Sequence, residues 1–372
     1  MRRFLIAGVL VAACAALAPS VAAAAPPRWQ AVPGHGEGFR GAWAAERAWL
    51  FKDGAGNASG DEIEIRSARI GAGRLGGWVT QRLPDATIYL RVIGSTLVYL
   101  RPDGTLRSVA LNPDGSLGAP ELVPGESGGP VPFSDHMVRL PDRIVWIVEA
   151  RDRRRYGCCT AAGIAVDYSS FLPPSVRTNG RLALGRDAGG HMWFTWIQSG
   201  AAAGPVKAIE LATDTLQPIG SPQTSPLPKS AAIVGMPCTD SCYVVTETAR
   251  GKAYSWRPGA ASATLIPTPS RSTPGYARAG MLAVDSFGGR MVFAYWADST
   301  ERGVRIRLAR GNARGAHPRI LRTIYDPSKL GLNVFSTGPP RGIVGPRGAV
   351  VFQQYENFRT GRPFLRAAFL RR

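Results

Sequence analysis

Seven short apolar runs punctuate the chain: Trp49-Leu50-Phe51, Val98-Tyr99-Leu100, Val145-Trp146-Ile147, Trp193-Phe194-Thr195, Val244-Val245-Thr246, Val292-Phe293-Ala294 and Val351-Phe352-Gln353. Their first residues stand 49, 47, 48, 51, 48 and 59 positions apart. Each run is rich in β-branched and aromatic residues and too short for a helix, so each predicts a strand. A weaker strand and a tight turn precede it, as in Leu182-Ala183-Leu184 followed by Asp187-Ala188-Gly189-Gly190. An alternating strand follows, marked by Ile63 and Ile65, Val109 and Leu111, Ile164 and Val166, Ile209 and Leu211, or Ile306 and Leu308. Several units add a fourth strand, such as Trp78 to Leu83, Glu121 to Val123 or Ile320 to Ile324.

Four antiparallel strands in each unit of about 50 residues describe the blade of a β-propeller. Seven units predict an all-β, seven-bladed β-propeller of four-stranded antiparallel blades. The seventh unit stops at its third strand, Phe364 to Leu370, and Trp29 to Gly34 has no unit of its own. Pairing an N-terminal strand at about 28–34 with that last strand closes the ring and covers two edges open to aggregation.

Composition agrees with a folded, loop-rich chain. Of 372 residues, 44 are Gly, 30 are Pro and 45% are apolar, enough for a core. Arg2 and Arg3 precede an apolar run from Phe4 to Leu17, and Val21-Ala22-Ala23 offers a small-x-small cleavage site. Residues 1–23 therefore read as a secretory signal peptide and 24–372 as one propeller domain, exported to the extracellular space or cell envelope. A lesser alternative is a lipoprotein anchored at Cys14, because Val11-Ala12-Ala13-Cys14 resembles a lipobox. No later apolar stretch approaches the length of a membrane span. The net charge is +19, with 40 Arg against 5 Lys, so the surface attracts anions.

Units four and six carry Asp187-Ala-Gly189-Gly-His-Met-Trp193 and Asp285-Ser-Phe-Gly288-Gly-Arg-Met-Val292. These resemble degenerate Asp-boxes, and the units resemble repeats of secreted bacterial propellers in the wider sialidase-like and Asp-box group. The resemblance implies a fold. It assigns no catalytic residue, because Asp-boxes are structural turns, and both copies lack the preceding hydroxyl and the Thr-Trp pair.

Other motifs reduce to structure. Gly125-Glu126-Ser127-Gly128-Gly129-Pro130 resembles a hydrolase serine loop, but its prolines exclude the strand-turn-helix setting that chemistry needs. Arg101-Pro102-Asp103-Gly104 and Asn112-Pro113-Asp114-Gly115 are the chemistry of tight turns. Glu62 and Glu64 alternate with Ile63 and Ile65, which places the acids on a solvated strand face. His35, His136, His191 and His317 offer no local metal site, and no cofactor is expected. The domain holds Cys158, Cys159, Cys238 and Cys242, an even number suited to disulfides in an exported protein. Placing Cys158 and Cys159 between the second and third strands of unit three separates them by a face from Cys238 and Cys242. Two local bridges follow, Cys158–Cys159 and Cys238–Cys242.

A basic residue stands at the leading end of each unit's innermost strand: Arg40, Arg91, Arg139, Arg181, Lys229, Arg278 and Arg341. Equivalent positions around a channel predict a basic ring at one mouth, on the face of the Cys158–Cys159 loop. The functional expectation is a monomeric, non-catalytic binding propeller for an anionic polysaccharide or cell-envelope polymer, with no specific nucleic acid partner. The alternative is a glycan-active hydrolase or lyase of sialidase-like type. It requires carboxylates from several blades to meet at one mouth, about 5–10 Å apart. Acids are scarce on the expected inner strands, which favours binding.

Overall fold

The computed structural model describes residues 27–34, 39–52, 62–86, 88–123, 137–149, 155–158, 166–172, 182–198, 203–267, 279–299, 303–325, 334–336, 340–357 and 360–372. Among these residues every regular element is a β-strand, and no helix is long and apolar enough to cross a membrane. Strand β1 is Gln30–Val32. Blade one comprises β2 (Arg40–Ala44), β3 (Arg47–Lys52), β4 (Glu62–Ile70) and β5 (Leu75–Pro84). Blade two comprises β6 (Ile88–Ile93), β7 (Thr96–Leu100), β8 (Leu106–Ala110) and β9 (Glu121–Leu122). Blade three comprises β10 (Met137–Arg139), β11 (Ile144–Glu149), β12 (Arg155–Cys158) and β13 (Val166–Asp167). Blade four comprises β14 (Leu182–Arg186), β15 (Met192–Ile197), β16 (Val206–Leu211) and β17 (Pro218–Thr224). Blade five comprises β18 (Ala232–Gly235), β19 (Val244–Glu247), β20 (Ala253–Trp256) and β21 (Thr264–Ile266). Blade six comprises β22 (Ala279–Phe287), β23 (Arg290–Ser299), β24 (Gly303–Arg310) and β25 (Arg319–Tyr325).

Among the described residues the protein thus has six four-stranded blades, which corrects the expectation of seven. The remaining strands build a different, five-stranded closing sheet from β1, β26 (Val334–Ser336), β27 (Arg341–Gly345), β28 (Gly348–Asn357) and β29 (Pro363–Arg371). Both β26 and β27 pair with β28, end to end: β26 against Tyr355 to Asn357, and β27 against Gly348 to Phe352. Pro340, just before β27, has no N–H to give a ladder, and no strand is assigned there. Strand β1 pairs antiparallel with β29, Gln30 opposite Ala367 and Val32 opposite Leu365. The chain's two described ends are therefore joined in one sheet.

Each interface between successive sheets is filled by its own apolar cluster. Trp49, Phe51 and Ile65 of blade one meet Leu97, Tyr99 and Val109 of blade two. Phe194 and Trp196 of blade four pack on Val145, Ile147 and Tyr168 of blade three. Val32 and Phe369 of the closing sheet meet Leu50 and Ile70 of blade one. The second strands are covered on both faces, which is why they appear in the sequence as unbroken apolar runs. Trp49, Trp146 and Trp196 are fully buried, and a tryptophan so placed contributes about 3–5 kcal/mol.

Polar staples to the turns before the outer strands reinforce several of the apolar interfaces. Arg47 of blade one donates to the Pro113 carbonyl at 3.3 Å, in the turn joining the last two strands of blade two. Arg143 of blade three donates to the carbonyls of Thr213 and Asp214 in the matching turn of blade four. Ser255 of blade five reaches the Arg314 carbonyl of blade six, and Arg371 reaches the Ala72 carbonyl of blade one at 2.9 Å. Asn112-Pro113-Asp114-Gly115 is a tight turn, closed by Gly115 N–H donating to the Asn112 carbonyl at 2.9 Å. Gly115 has φ 97°, and a Cβ there would lie 2.8 Å from the Arg47 guanidinium, so glycine serves both the turn and the staple.

Blade three departs from the expected strand assignment. Its third strand is β12, ending at Cys158, and Val166 belongs to the fourth strand rather than the third. Strands alternate in direction, so Cys158 leaves β12 on the face opposite the leading ends of the inner strands. That reverses the face expected for the Cys158 loop. Cys159 and the Cys158 side chain lie outside the described residues. Cys238 and Cys242 form the other expected bridge, with Cα atoms 4.0 Å apart.

Candidate functional site

First strands of successive sheets run side by side, with β27 between β2 and β22. Their leading ends bring Arg40 and Arg341 to a shared cavity of about 830 Å³. Arg341 donates to the Phe39 carbonyl at 2.7 Å, which holds its guanidinium beside the start of β2. A glycine follows each arginine. A Cβ on Gly41 would lie 2.8 Å from the Phe352 ring, and one on Gly342 would lie 3.1 Å from the Leu282 Cβ. On β22 a Cβ at Gly280 would lie 2.5 Å from the Trp296 indole nitrogen. Missing side chains on the inner strands therefore leave room for two aromatic side chains of the second strands, Trp296 and Phe352, to line the cavity.

Blade five supplies the opposite wall. The hairpin after β19 is closed by Thr248 N–H donating to the Lys252 carbonyl at 2.9 Å, and by Gly251 N–H to the Thr248 carbonyl at 2.9 Å. This turn presents Arg250 to the cavity. Glu247, the last residue of β19, also lines it. Burial pushes the Glu247 carboxyl above its usual range, and a hydrogen bond from the Met281 backbone N–H opposes that rise. The register of β22 against β23 shifts between Met281 and Ala283, so the ladder is irregular where Glu247 takes this hydrogen bond. Three guanidiniums face one carboxylate, and among the described lining residues Glu247 is the sole acid. The cavity has the electrostatics of an anion site.

The other predicted positions have separate settings. Arg91 lies on β6, close enough to Asp285 of β22 to lower the pKa of that acid, which burial raises more strongly. Arg139, on β10, donates to the Thr96 hydroxyl at 3.0 Å and lines a second cavity of about 210 Å³ between blades two and three. Lys229 is exposed ahead of β18. Arg181 and Arg278 lie outside the described residues, as do His35, His136 and the Gly125 to Pro130 loop. Arg40 and Arg341 are the pair that the structure brings into the large cavity. Glu247, Arg250 and Trp296 were not singled out by sequence. The detectable signal was the pair of doublets Arg40-Gly41 and Arg341-Gly342, each a charge beside a deleted side chain.

Asp187 accepts the His191 backbone N–H at 2.9 Å, and its carbonyl accepts Gly190 N–H at 3.1 Å. It closes the first hairpin of blade four, a structural turn as expected. Asp285 instead lies within β22 and takes the Ser286 N–H at 2.7 Å. Among the described residues no group of three His, Cys, Asp or Glu side chains is placed to hold a metal ion.

Fold and cavity together define a β-propeller with a cationic, aromatic-walled site at the leading ends of its inner strands. Its sequence matches no protein-family model and no curated protein. Among solved structures it is similar to the β-propeller domain of the Trilobed protease from Pyrococcus furiosus, at 8% identity over 88% of this chain and 94% of that one, with a TM-score of 0.45. It is similar also to AztD of Citrobacter koseri, at 11% identity over 90% of each chain and a TM-score of 0.42. A puromycin-hydrolyzing peptidase of Mycobacterium tuberculosis matches at 13% identity over 81% of this chain and 57% of that one, with a TM-score of 0.35.

Proposed function

We propose that this protein is an exported binding propeller that takes an anionic ligand, an acidic glycan or cell-envelope polymer, in the cavity between β2, β22 and β27. The observation that carries the reading is Arg40, Arg250 and Arg341 around one space of about 830 Å³, with a single acid among its described lining residues. A binding role is favoured over glycan hydrolysis because the two-carboxylate mechanism needs a second acid beside Glu247. The Cys238–Cys242 bridge suits an oxidising compartment outside the cytoplasm.

Charge-assisted contacts to a guanidinium are each worth about 1.5–3 kcal/mol. The double variant Arg40→Ala with Arg341→Ala is therefore expected to lose at least about tenfold in affinity for an immobilised polyuronate. Exposed Arg290 and Arg319 of blade six provide a charge-matched control. Replacing both with alanine should cost much less. Equal losses in the two double variants would mean diffuse surface charge and end the reading.

A further inference from the structure

Glu247 is out of place in a site built only for negative charge. A bare dianion gains from Arg40, Arg250 and Arg341, yet meets a carboxylate in the same wall. That carboxylate already receives one hydrogen bond, from Met281 N–H, and is half-buried. A carboxylate is an acceptor with several lone-pair sites, so it retains capacity for a donor brought by a ligand. In the same cavity, half-buried Trp296 offers apolar surface, backed by the buried Phe352 ring, and the space is large enough for more than a small inorganic ion. Anion-binding, acceptor and aromatic groups together match a ligand with a carboxylate, hydroxyl donors and a ring with apolar C–H faces.

Resting on the anion reading of this same cavity, we propose that Glu247 is a specificity residue that accepts a hydrogen bond from a ligand hydroxyl, making the site selective for ring-form sugar acids of the uronate type over bare anions. The guanidiniums hold the acid group, and the aromatic wall packs against the ring. An inorganic phosphate satisfies the guanidiniums but leaves Glu247 facing like charge, a form of discrimination by mismatch.

Calorimetric titration of the full chain with trigalacturonate and with inorganic phosphate tests the assignment, using wild type, Glu247→Ala and Glu247→Gln. Wild type should bind the uronate more tightly. Glu247→Ala should weaken uronate binding by about tenfold or more while phosphate binding holds or tightens. Glu247→Gln keeps an oxygen acceptor for Met281 N–H, so it remains informative if the alanine variant does not fold. It should lose less uronate affinity than the alanine variant and gain for phosphate. Equal weakening of both ligands, or an unchanged preference, overturns the assignment and leaves the anion site standing if the Arg40 and Arg341 double variant still weakens binding by about tenfold or more. Failure of wild type to bind either ligand removes both.

Discussion

His191 and Glu210 show how one surface pair reports its own electrostatics. His191 Nδ1 lies 2.6 Å from Glu210 Oε1, on the face opposite the cationic cavity. The hydrogen bond to Glu210, then its charge, then the charge of Asp187 hold the imidazole above its usual value of 6.5. A base with a raised folded pKa stabilises the fold below its unfolded pKa, and that gain disappears as pH rises through the folded value. Titration of the His191 ring resonances by NMR should therefore give a midpoint above 6.5 that falls toward 6.5 in Glu210→Gln. The variant should be less stable than wild type at pH 6 and indistinguishable from it at pH 9. Because the pair is exposed, the stability change should be small. An unmoved midpoint would show that the contact does not persist in solution.

At the level of elements, the second strands were legible and the others less so, for a physical reason. Trp49, Val98, Val145, Phe194, Val244, Val292 and Val351 all lie on strands packed between neighbouring sheets, so burial on both faces writes an apolar run. Outer strands such as β9 are short and exposed, and β12, Arg155-Tyr156-Gly157-Cys158, carries no apolar alternation. Blade three was misassigned at that strand. A full last blade was expected because the Val351 run matches the others, whereas β26 and β27 pair with β28 as two separate strands, with Pro340 just before β27. The site was half legible. Position along the repeat identified Arg40 and Arg341, but Glu247 and Trp296 reach the cavity only through contact between blades five and six and the closing sheet. The Cys238–Cys242 bridge was expected from a blade assignment that put the two cysteine pairs on opposite faces; the structure reverses the Cys158 face, and the bridge forms across its own turn all the same. Its loop also gives the Thr239 carbonyl to Ala188 N–H at 2.7 Å, docking blade five on the first turn of blade four. With a sequence separation of 4, the chain-entropy model assigns the bridge only about 2 kcal/mol. Urea unfolding of Cys238→Ser with Cys242→Ser should show a loss near that figure. A much larger loss would mean that the bridge also holds the turn of blade four in place.

On the scale of the whole molecule, stability depends on a ring whose last gap is closed by three residues. Strand β1 adds few hydrogen bonds, but its side chains reach both neighbours of the closing sheet. Val32 is buried in the cluster shared with blade one. Trp29 packs against the cluster shared with blade six, and its indole donates to the Tyr325 carbonyl at 2.7 Å. Removing residues 27–34 strips β29 of its outer partner and exposes one edge of the closing sheet. Full burial of the Val32 side chain is worth about 1.5–3 kcal/mol, before counting half-buried Trp29 and the lost ladder bonds. Such a loss is a sizeable part of the roughly 5–15 kcal/mol by which domains are stable. An exposed strand edge also invites association. A chain lacking residues 27–34 should therefore unfold at markedly lower urea than the chain that retains them, and should associate on size-exclusion chromatography. Adding a peptide of residues 27–36 should reverse both effects by refilling the edge. If the shortened chain stays monomeric and equally stable, the six blades and the rest of the closing sheet hold the ring without β1.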